Sequence, residues 1–289
     1  MPRRSRIPPW PPQPPIEMPP ARTVRVEGRG EFFIRDSGGD GPAVMLLHGW
    51  MATADLNWWG VYGDLIDAGH RVLAIDHRGH GRGLRPLVDF RLTDCADDAA
   101  AVLRELGLTA TVVGYSMGGA VAQLVAKEHP DVTRGVILSG TAQHWQDPRT
   151  KWQFRTMGAF GLMMSLAPRA TLRAGLKRAR IEETERTAWL ESELLRHSAR
   201  DIAEAGRELA RFDSRPWLGS VQPTVAVVVT TRDELVPVRK QRALAEAARA
   251  RVFEAPISHM EVGWRTGEYN PVLLDAIAAV RSPDTVAAA

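Results

Sequence analysis

Short apolar runs alternate with segments of helical periodicity along most of this chain. Runs of strand type occupy 22–28, 31–38, 43–49, 71–79, 109–116, 133–140, 223–237 and 251–256. Helical patterns occupy 57–69, 93–108, 117–130, 238–250 and 271–281. This alternation is typical of an α/β fold in which helices cover a mostly parallel sheet, and the first two strands form an opening pair.

The strand pattern stops between about Thr141 and Trp217. This stretch is helical in pattern and rich in arginine and glutamate, with an apolar patch at 157–168. Helices inserted between two strands, near the carboxyl edge of the sheet, predict a cap over a site. An ordinary helical subdomain with no ligand role is the alternative.

The pattern divides the chain into a core, an insertion and two tails. We expect the core to comprise 23–141 and 218–281, and the helical cap to comprise 142–217. Residues 1–22 are rich in proline and predict a disordered tail, with binding to an aromatic groove of a partner as the alternative. Residues 282–289 are expected to be a flexible C-terminus.

Composition narrows the class of protein. Hydrophobic residues make up 44% and charged residues 25%, which is the balance of a globular protein. The net charge of +3 comes from basic residues scattered among acids, so we expect no nucleic-acid partner. No segment approaches the roughly 20 apolar residues of a membrane helix. The one cysteine excludes an internal disulfide and favours a reducing, cytoplasmic location.

The segment Gly114-Tyr115-Ser116-Met117-Gly118 joins an apolar strand to an alanine-rich helix. A serine at such a turn takes a strained backbone conformation, and the glycines on either side let the strand and helix approach closely. The pattern predicts Ser116 as a nucleophile at a helix N-terminus. The N–H of Met117 would then stabilise a negative oxygen.

A nucleophilic serine also requires a second oxyanion donor, a base and an acid. The loop in LLHGWM predicts the N–H of Trp50 as the donor, although Trp50 as a core residue is the alternative. In the chain order serine, acid, histidine, His259 follows a strand near the chain end and is the expected base. Asp233 follows the preceding strand and is the expected acid, with the adjacent Glu234 as its rival.

The remaining histidines and acids have other interpretations. His129 is expected to cap a helix end by contacting its carbonyls, and His144 and His197 lie in the expected cap. Asp76, His77 and His80 share a glycine-rich loop, but no fourth ligand lies nearby, so we expect no metal and a structural role for Asp76. Cys95 is expected to be an inert thiol.

The motifs LLHGW, DHRGHGRG, GYSMGG, TTRDELVP and ISHMEVG together resemble the α/β-hydrolase superfamily, in its carboxylesterase and lipase branch. The resemblance implies an eight-stranded sheet, a helical cap and a serine hydrolase mechanism without a cofactor. This sequence departs from the family pattern at Ser258, where glycine usually precedes the histidine, and at Gly83, where serine is common. Ser116 in place of aspartate argues against the haloalkane dehalogenase and epoxide hydrolase branches.

We therefore expect hydrolysis of a small-molecule carboxylic ester through an acyl-enzyme. Trp50, Tyr115 and Met163 are the expected substrate contacts. Thioester hydrolysis, carbon–carbon hydrolysis and perhydrolysis use the same groups and stay open, because pocket shape distinguishes them. A triad-bearing small-molecule receptor is the alternative outside catalysis. The oligomeric state stays open.

Overall fold

A central sheet of eight strands organises the protein. The computed structural model describes residues 12–146, 163, 166–178 and 185–281. The strands are β1 Ala21–Val26, β2 Gly30–Asp36, β3 Ala43–Leu47, β4 Arg71–Ile75, β5 Ala110–Tyr115, β6 Thr133–Ser139, β7 Thr224–Thr230 and β8 Arg251–Ala255. Their order is β1-β2-β4-β3-β5-β6-β7-β8. β2 is antiparallel to β1 and to β4, and all other pairs are parallel, which confirms the predicted sheet.

Helices cover both faces of this sheet. They are α1 Ala54–Trp58, α2 Tyr62–Asp67, α3 Leu92–Glu105, α4 Met117–Glu128, α5 Pro168–Arg178, α6 Glu185–Leu194, α7 Ala199–Arg211, α8 Val238–Ala247 and α9 Thr266–Arg281. α3, α4 and α8 contribute to one buried cluster, while α1, α2 and α9 contribute to the other. β3 and β5 are buried at every position, because helices screen both of their faces.

Three predicted helices differ from the observed ones. The stretch 57–69 holds the last two residues of α1 and all of α2. Gly60 lies between the two helices and packs so closely that a Cβ there would lie 2.4 Å from the Gly263 carbonyl oxygen. α3 begins one residue before the predicted range 93–108 and ends at Glu105, and Arg91 at its N-cap makes no side-chain capping bond. α9 begins five residues before Pro271 and contains it.

α5, α6 and α7 lie between β6 and β7 in the chain, and we call them the inserted helices. α6 and the turn that follows it contact the loops after β3 and β4. Thr53 donates to the buried carboxylate of Glu193 at 2.8 Å, and the Gly81 N–H donates to His197 Nδ1 at 3.1 Å. This part of the insertion is therefore anchored beside the carboxyl edge of the sheet.

The chain ends bear on the predicted tails. β1 begins at Ala21, inside the range predicted as tail, and residues 1–11 and 282–289 lie outside the described residues. Over the described ranges, no helix is long and apolar enough to cross a bilayer.

Candidate active site

Ser116 occupies a strained turn between β5 and α4. Its backbone has φ 55° and ψ −116°, a region that residues with a Cβ rarely adopt. Its N–H donates to the Ser139 carbonyl at 3.0 Å, while its own carbonyl accepts from the Thr141 hydroxyl at 2.7 Å and the Gly119 N–H at 3.0 Å. These bonds hold the turn in place, so the Ser116 hydroxyl is presented at the end of the sheet.

The glycines beside this turn are required by close backbone approach, as the sequence predicts. A Cβ at Gly114 would lie 2.2 Å from the Gly118 carbonyl oxygen. A Cβ at Gly118 would lie 2.1 Å from the carbonyl oxygen of Leu47, at the end of β3. Both neighbours are backbone atoms, so a side chain at either position would force strand and helix apart.

The structure brings Ser116, His259 and Asp233 together from three strand ends. The Ser116 hydroxyl lies 3.0 Å from His259 Nε2, and His259 Nδ1 lies 2.7 Å from Asp233 Oδ2. In this arrangement the hydroxyl donates to Nε2 and Nδ1–H donates to the carboxylate. Glu234, the rival acid, is exposed, whereas Asp233 is buried against the imidazole.

The Asp233 carboxylate is fixed by bonds that the sequence analysis missed. Oδ1 accepts the N–H groups of Leu235 and Val236 at 2.9 and 2.7 Å, and Oδ2 accepts the Thr230 hydroxyl at 2.8 Å. The buried amide of Gln241 donates to the Thr230 hydroxyl at 2.9 Å. These donors hold the carboxylate in one orientation and aim Oδ2 at His259.

The loop after β3 lies against the nucleophile. A Cβ at Gly49 would lie 3.3 Å from the Cβ of Ser116. The Gly49 N–H donates to the Asn57 side chain at 2.8 Å, which is a contact that the sequence did not predict. Met117, on the other side, is the first residue of α4, so its N–H has no acceptor within the helix.

His48 sets the orientation of the Gly49–Trp50 peptide. Its Nε2 accepts the His77 N–H at 2.9 Å, so its proton is on Nδ1, which donates to the Gly49 carbonyl at 2.8 Å. In a trans peptide the N–H points opposite to the carbonyl. Fixing the Gly49 oxygen therefore also fixes the direction of the Trp50 N–H.

The three predicted substrate contacts have different surroundings. The indole N–H of Trp50 donates to the Ile202 carbonyl of α7 at 2.9 Å, which ties the inserted helices to the loop after β3. The Tyr115 hydroxyl donates to the His259 carbonyl at 2.7 Å. Burial raises the pKa of Tyr115 well above 10, so it stays a neutral donor. Met163 is half-exposed, and its substrate contact stays a prediction.

Four imidazoles lie together behind the loop after β3, and three of them, His48, His77 and His80, are fully buried. The ring centroids of His48 lie 4.4 Å from His77 and 5.4 Å from His80, and His80 lies 5.5 Å from His197. Burial lowers the pKa of His77 to about 3 and that of His197 to about 4, and it lowers the pKa values of His48 and His80 as well. All four are therefore neutral at pH 7.

Asp76 has the structural role that the sequence predicts. Its carboxylate accepts the Ala54 N–H at 2.7 Å and the Arg82 N–H and Nε at 2.7 and 2.9 Å. Burial raises the pKa of this carboxyl, but the Arg82 guanidinium reverses the shift and holds it below the usual value. Among the described residues, no group of three histidine, cysteine or acidic side chains is arranged to hold a metal ion.

The structure also shows the surroundings of His129 and Cys95. His129 follows the last turn of α4, but its ring contacts Asp97 Oδ1 at 2.8 Å and Arg104 Nη2 at 3.3 Å, rather than the helix carbonyls that the sequence predicted. The free Cys95 is buried, and burial raises the pKa of its thiol well above 9. The thiol is therefore protonated at neutral pH.

Comparisons with known proteins agree with this architecture. A family model described as alpha/beta hydrolase fold matches residues 42–260. A non-heme haloperoxidase from Rhodococcus erythropolis is 38% identical over 112 residues, which cover 38% of this chain and 40% of the relative. A bifunctional esterase/perhydrolase from Acinetobacter calcoaceticus is 37% identical over 113 residues, which cover 38% and 41%. These matches span about two fifths of the length of each relative.

A solved structure extends the likeness to nearly the whole chain. An esterase from Exiguobacterium antarcticum superposes with a TM-score of 0.76 and 20% identity, covering 89% of this chain and 98% of that one. At this identity the likeness concerns the fold.

Proposed function

This chain belongs to the α/β-hydrolase family, and we propose that it is a serine hydrolase that cleaves a carboxylic ester through an acyl-enzyme. The observation that carries the proposal is the continuous contact from Ser116 Oγ to His259 Nε2 at 3.0 Å and from His259 Nδ1 to Asp233 at 2.7 Å. A serine hydroxyl becomes a competent nucleophile when a base accepts its proton and an acid orients that base.

In the first half of the reaction, Ser116 Oγ attacks the ester carbonyl carbon while His259 Nε2 takes the hydroxyl proton. Asp233 stabilises the imidazolium that forms. The Trp50 and Met117 N–H groups donate to the oxygen that becomes negative. The intermediate then collapses, and His259 returns the proton to the leaving alcohol.

In the second half, water replaces the alcohol. His259 removes a proton from water as the water oxygen attacks the acyl carbon. Collapse breaks the bond to Ser116 Oγ, which recovers its proton from His259, and the carboxylic acid leaves. No cofactor takes part in these steps. The inserted helices would cover the bound substrate, because they are tied to Trp50 through Ile202.

Perhydrolysis is the second candidate, and the similarity to a haloperoxidase and an esterase/perhydrolase favours it. In this reaction hydrogen peroxide would attack the acyl-enzyme in place of water and release a peroxy acid. A peroxy-acid assay with acetate and peroxide, run beside ester hydrolysis, distinguishes the two.

The test compares wild type with Ser116→Ala on p-nitrophenyl esters from acetate to palmitate. We expect turnover in wild type, a loss of at least about 1000-fold in the variant, and full activity in a control at exposed Ser220, Ser220→Ala. A fluorophosphonate should add to Ser116, as located by peptide mass spectrometry. Ester turnover that survives in Ser116→Ala would contradict the proposal, and tight binding without turnover would favour a receptor.

A further inference from the structure

α5 presents a cationic stripe to solvent. Arg169, Arg173 and Lys177 are spaced four residues apart, so they lie on one face of the helix, and all three are exposed. Two exposed apolar side chains, Met163 and Leu166, immediately precede this helix. Leu166 is 75% exposed, which is unusual for a leucine in a folded domain.

Apolar and cationic positions lie side by side on this surface. The Ala167 N–H donates to the Met163 carbonyl at 2.9 Å, so the chain already has helical spacing before Pro168. With this spacing Leu166 lies one turn before Arg169 on the same side. Further along, the exposed Ala170 and Ala174 continue from Leu166 at intervals of four. The exposed face therefore joins an apolar edge to a basic one.

The sequence around α5 concentrates the basic charge of the chain. Residues 148–181 contain eight lysines and arginines and no aspartate or glutamate. The rest of the chain holds the other 29 basic residues and all 34 acids, so it is net negative. The positive net charge of the protein thus comes from one segment, and the basic residues are less evenly scattered than the overall composition indicates.

α5 and α7 differ in how many of their basic side chains are paired with acids. The arginines of α7 are paired with acids of their own helix, as in Arg200 with Glu204 at 2.8 Å and Arg211 with Glu208 at 3.3 Å. α5 contains no acid. Among the described residues, Arg169, Arg173 and Lys177 make one ion pair, from Arg173 to Glu191 at 3.6 Å, and the Arg173 side chain remains 64% exposed. The other two side chains are exposed as well, so all three charges face solvent.

We propose that this surface, formed by Met163, Leu166 and the α5 cations, docks onto an anionic phospholipid bilayer. A helix with basic residues beside exposed apolar ones lies in the plane of the interface, with its apolar side chains entering the acyl boundary and its cations at the headgroups. Each cation near an anionic surface strengthens binding about fivefold. A nucleic acid would satisfy the charge but would leave Leu166 in water, so a bilayer fits the surface better.

The experiment measures co-sedimentation of the full chain with vesicles of equal phosphatidylglycerol and phosphatidylcholine, and with vesicles of phosphatidylcholine alone. We expect binding to the anionic vesicles only. The triple variant Arg169→Gln, Arg173→Gln, Lys177→Gln should bind on the order of a hundredfold more weakly. The matched variant Arg200→Gln, Arg207→Gln, Arg211→Gln removes the same charge from α7 and should bind nearly as wild type.

A separate variant tests the apolar part of the surface. Leu166→Gln keeps every charge and, because the side chain is exposed, should leave the melting temperature unchanged while weakening vesicle binding several-fold. Ester turnover on a water-soluble substrate should be equal in all four proteins, so the docking surface and the proposed hydrolase reaction succeed or fail independently. Equal losses in the α5 and α7 variants, no binding by wild type, or binding to RNA that is as strong and is insensitive to Leu166→Gln would each overturn the proposal.

Discussion

The hydroxyl of Tyr115 donates a hydrogen bond of 2.7 Å to the backbone carbonyl of His259. Tyr115 directly precedes the nucleophile Ser116, and it thus holds the backbone of His259, which lies 144 positions later in the chain. The ring of Tyr115 also lies 5.1 Å from the imidazole, centroid to centroid. The separation between Ser116 and His259 therefore depends on a side chain that the sequence marked only as a substrate contact.

We expect Tyr115→Phe to lower kcat by about tenfold to a hundredfold, because a loosened His259 spends less time in line with Ser116. KM should change little, since the substitution leaves the ring in place. The His259 carbonyl also loses its donor, which costs about 0.5–1.5 kcal/mol of the free energy of unfolding. Steady-state kinetics and urea unfolding measure the two effects.

Tyr269→Phe is the matched control for this prediction. Tyr269 is also buried, and its hydroxyl donates to the Ser139 hydroxyl at 3.1 Å rather than to the His259 carbonyl. It should lose stability to a similar degree while keeping kcat. If both variants lose kcat equally, Tyr115 acts through general stability and has no positioning role.

Asp233→Asn tests the acid. An amide in this position no longer favours the proton on His259 Nδ1, and it no longer stabilises the imidazolium, so we expect kcat to fall by about 10⁴. Glu234→Gln changes the exposed neighbour and should leave kcat as in wild type. A large loss in Glu234→Gln with a small one in Asp233→Asn would reverse the assignment.

The parts of the site that the sequence predicts are those that stand at strand ends. Ser116 directly follows β5, Asp233 and His259 lie within four residues of the ends of β7 and β8, and the parallel register of the sheet carries all three to one edge. The supporting bonds have no such signal. Gln241 looks like any polar residue of a surface helix, and its bond to Thr230 appears only when α8 is packed against β7.

The contacts of the inserted helices were also out of reach of sequence patterns. Trp50 and Ile202 are separated by 152 positions, and their bond involves a backbone carbonyl that no residue type encodes. The group of neutral histidines likewise depends on contacts between distant parts of the chain. His48, His77 and His197 come from different segments, and the fold buries the first two fully and His197 in part.

Replacing Gly118 of α4 and Gly63 of α2 by alanine should change the stability in opposite directions. Gly118→Ala places a Cβ 2.1 Å from the Leu47 carbonyl oxygen, so strand or helix must shift, and we expect a loss of at least about 3 kcal/mol. Gly63 in α2 has no atom within 4 Å of its added Cβ, so Gly63→Ala should gain about 0.5–1 kcal/mol from helix propensity. Thermal unfolding of the two variants tests both directions. A harmless Gly118→Ala would show that the β3–α4 approach is adaptable.

The buried histidines predict how stability depends on pH. Their pKa values are lowered in the folded protein, so the unfolded chain binds more protons once the pH falls below about 6.5, the ordinary histidine pKa. Stability from these groups is therefore full above that pH. It declines as the pH falls towards about 4 for His197 and about 3 for His77. Well inside this window each histidine contributes a slope of about 1.4 kcal/mol per pH unit.

His77→Phe measures how much one of these histidines contributes to the pH dependence of stability. Neither ring nitrogen of His77 has a hydrogen-bond partner within the described part of the chain, so an apolar ring of similar size removes no bond. We expect the variant to match or exceed wild-type stability at pH 7.5, and its slope between pH 6 and pH 5 to be shallower by about 1 kcal/mol per unit. Urea unfolding at each pH measures this slope. Wild type and variant share every other titrating group, so parallel curves would mean that His77 is not neutral in the fold.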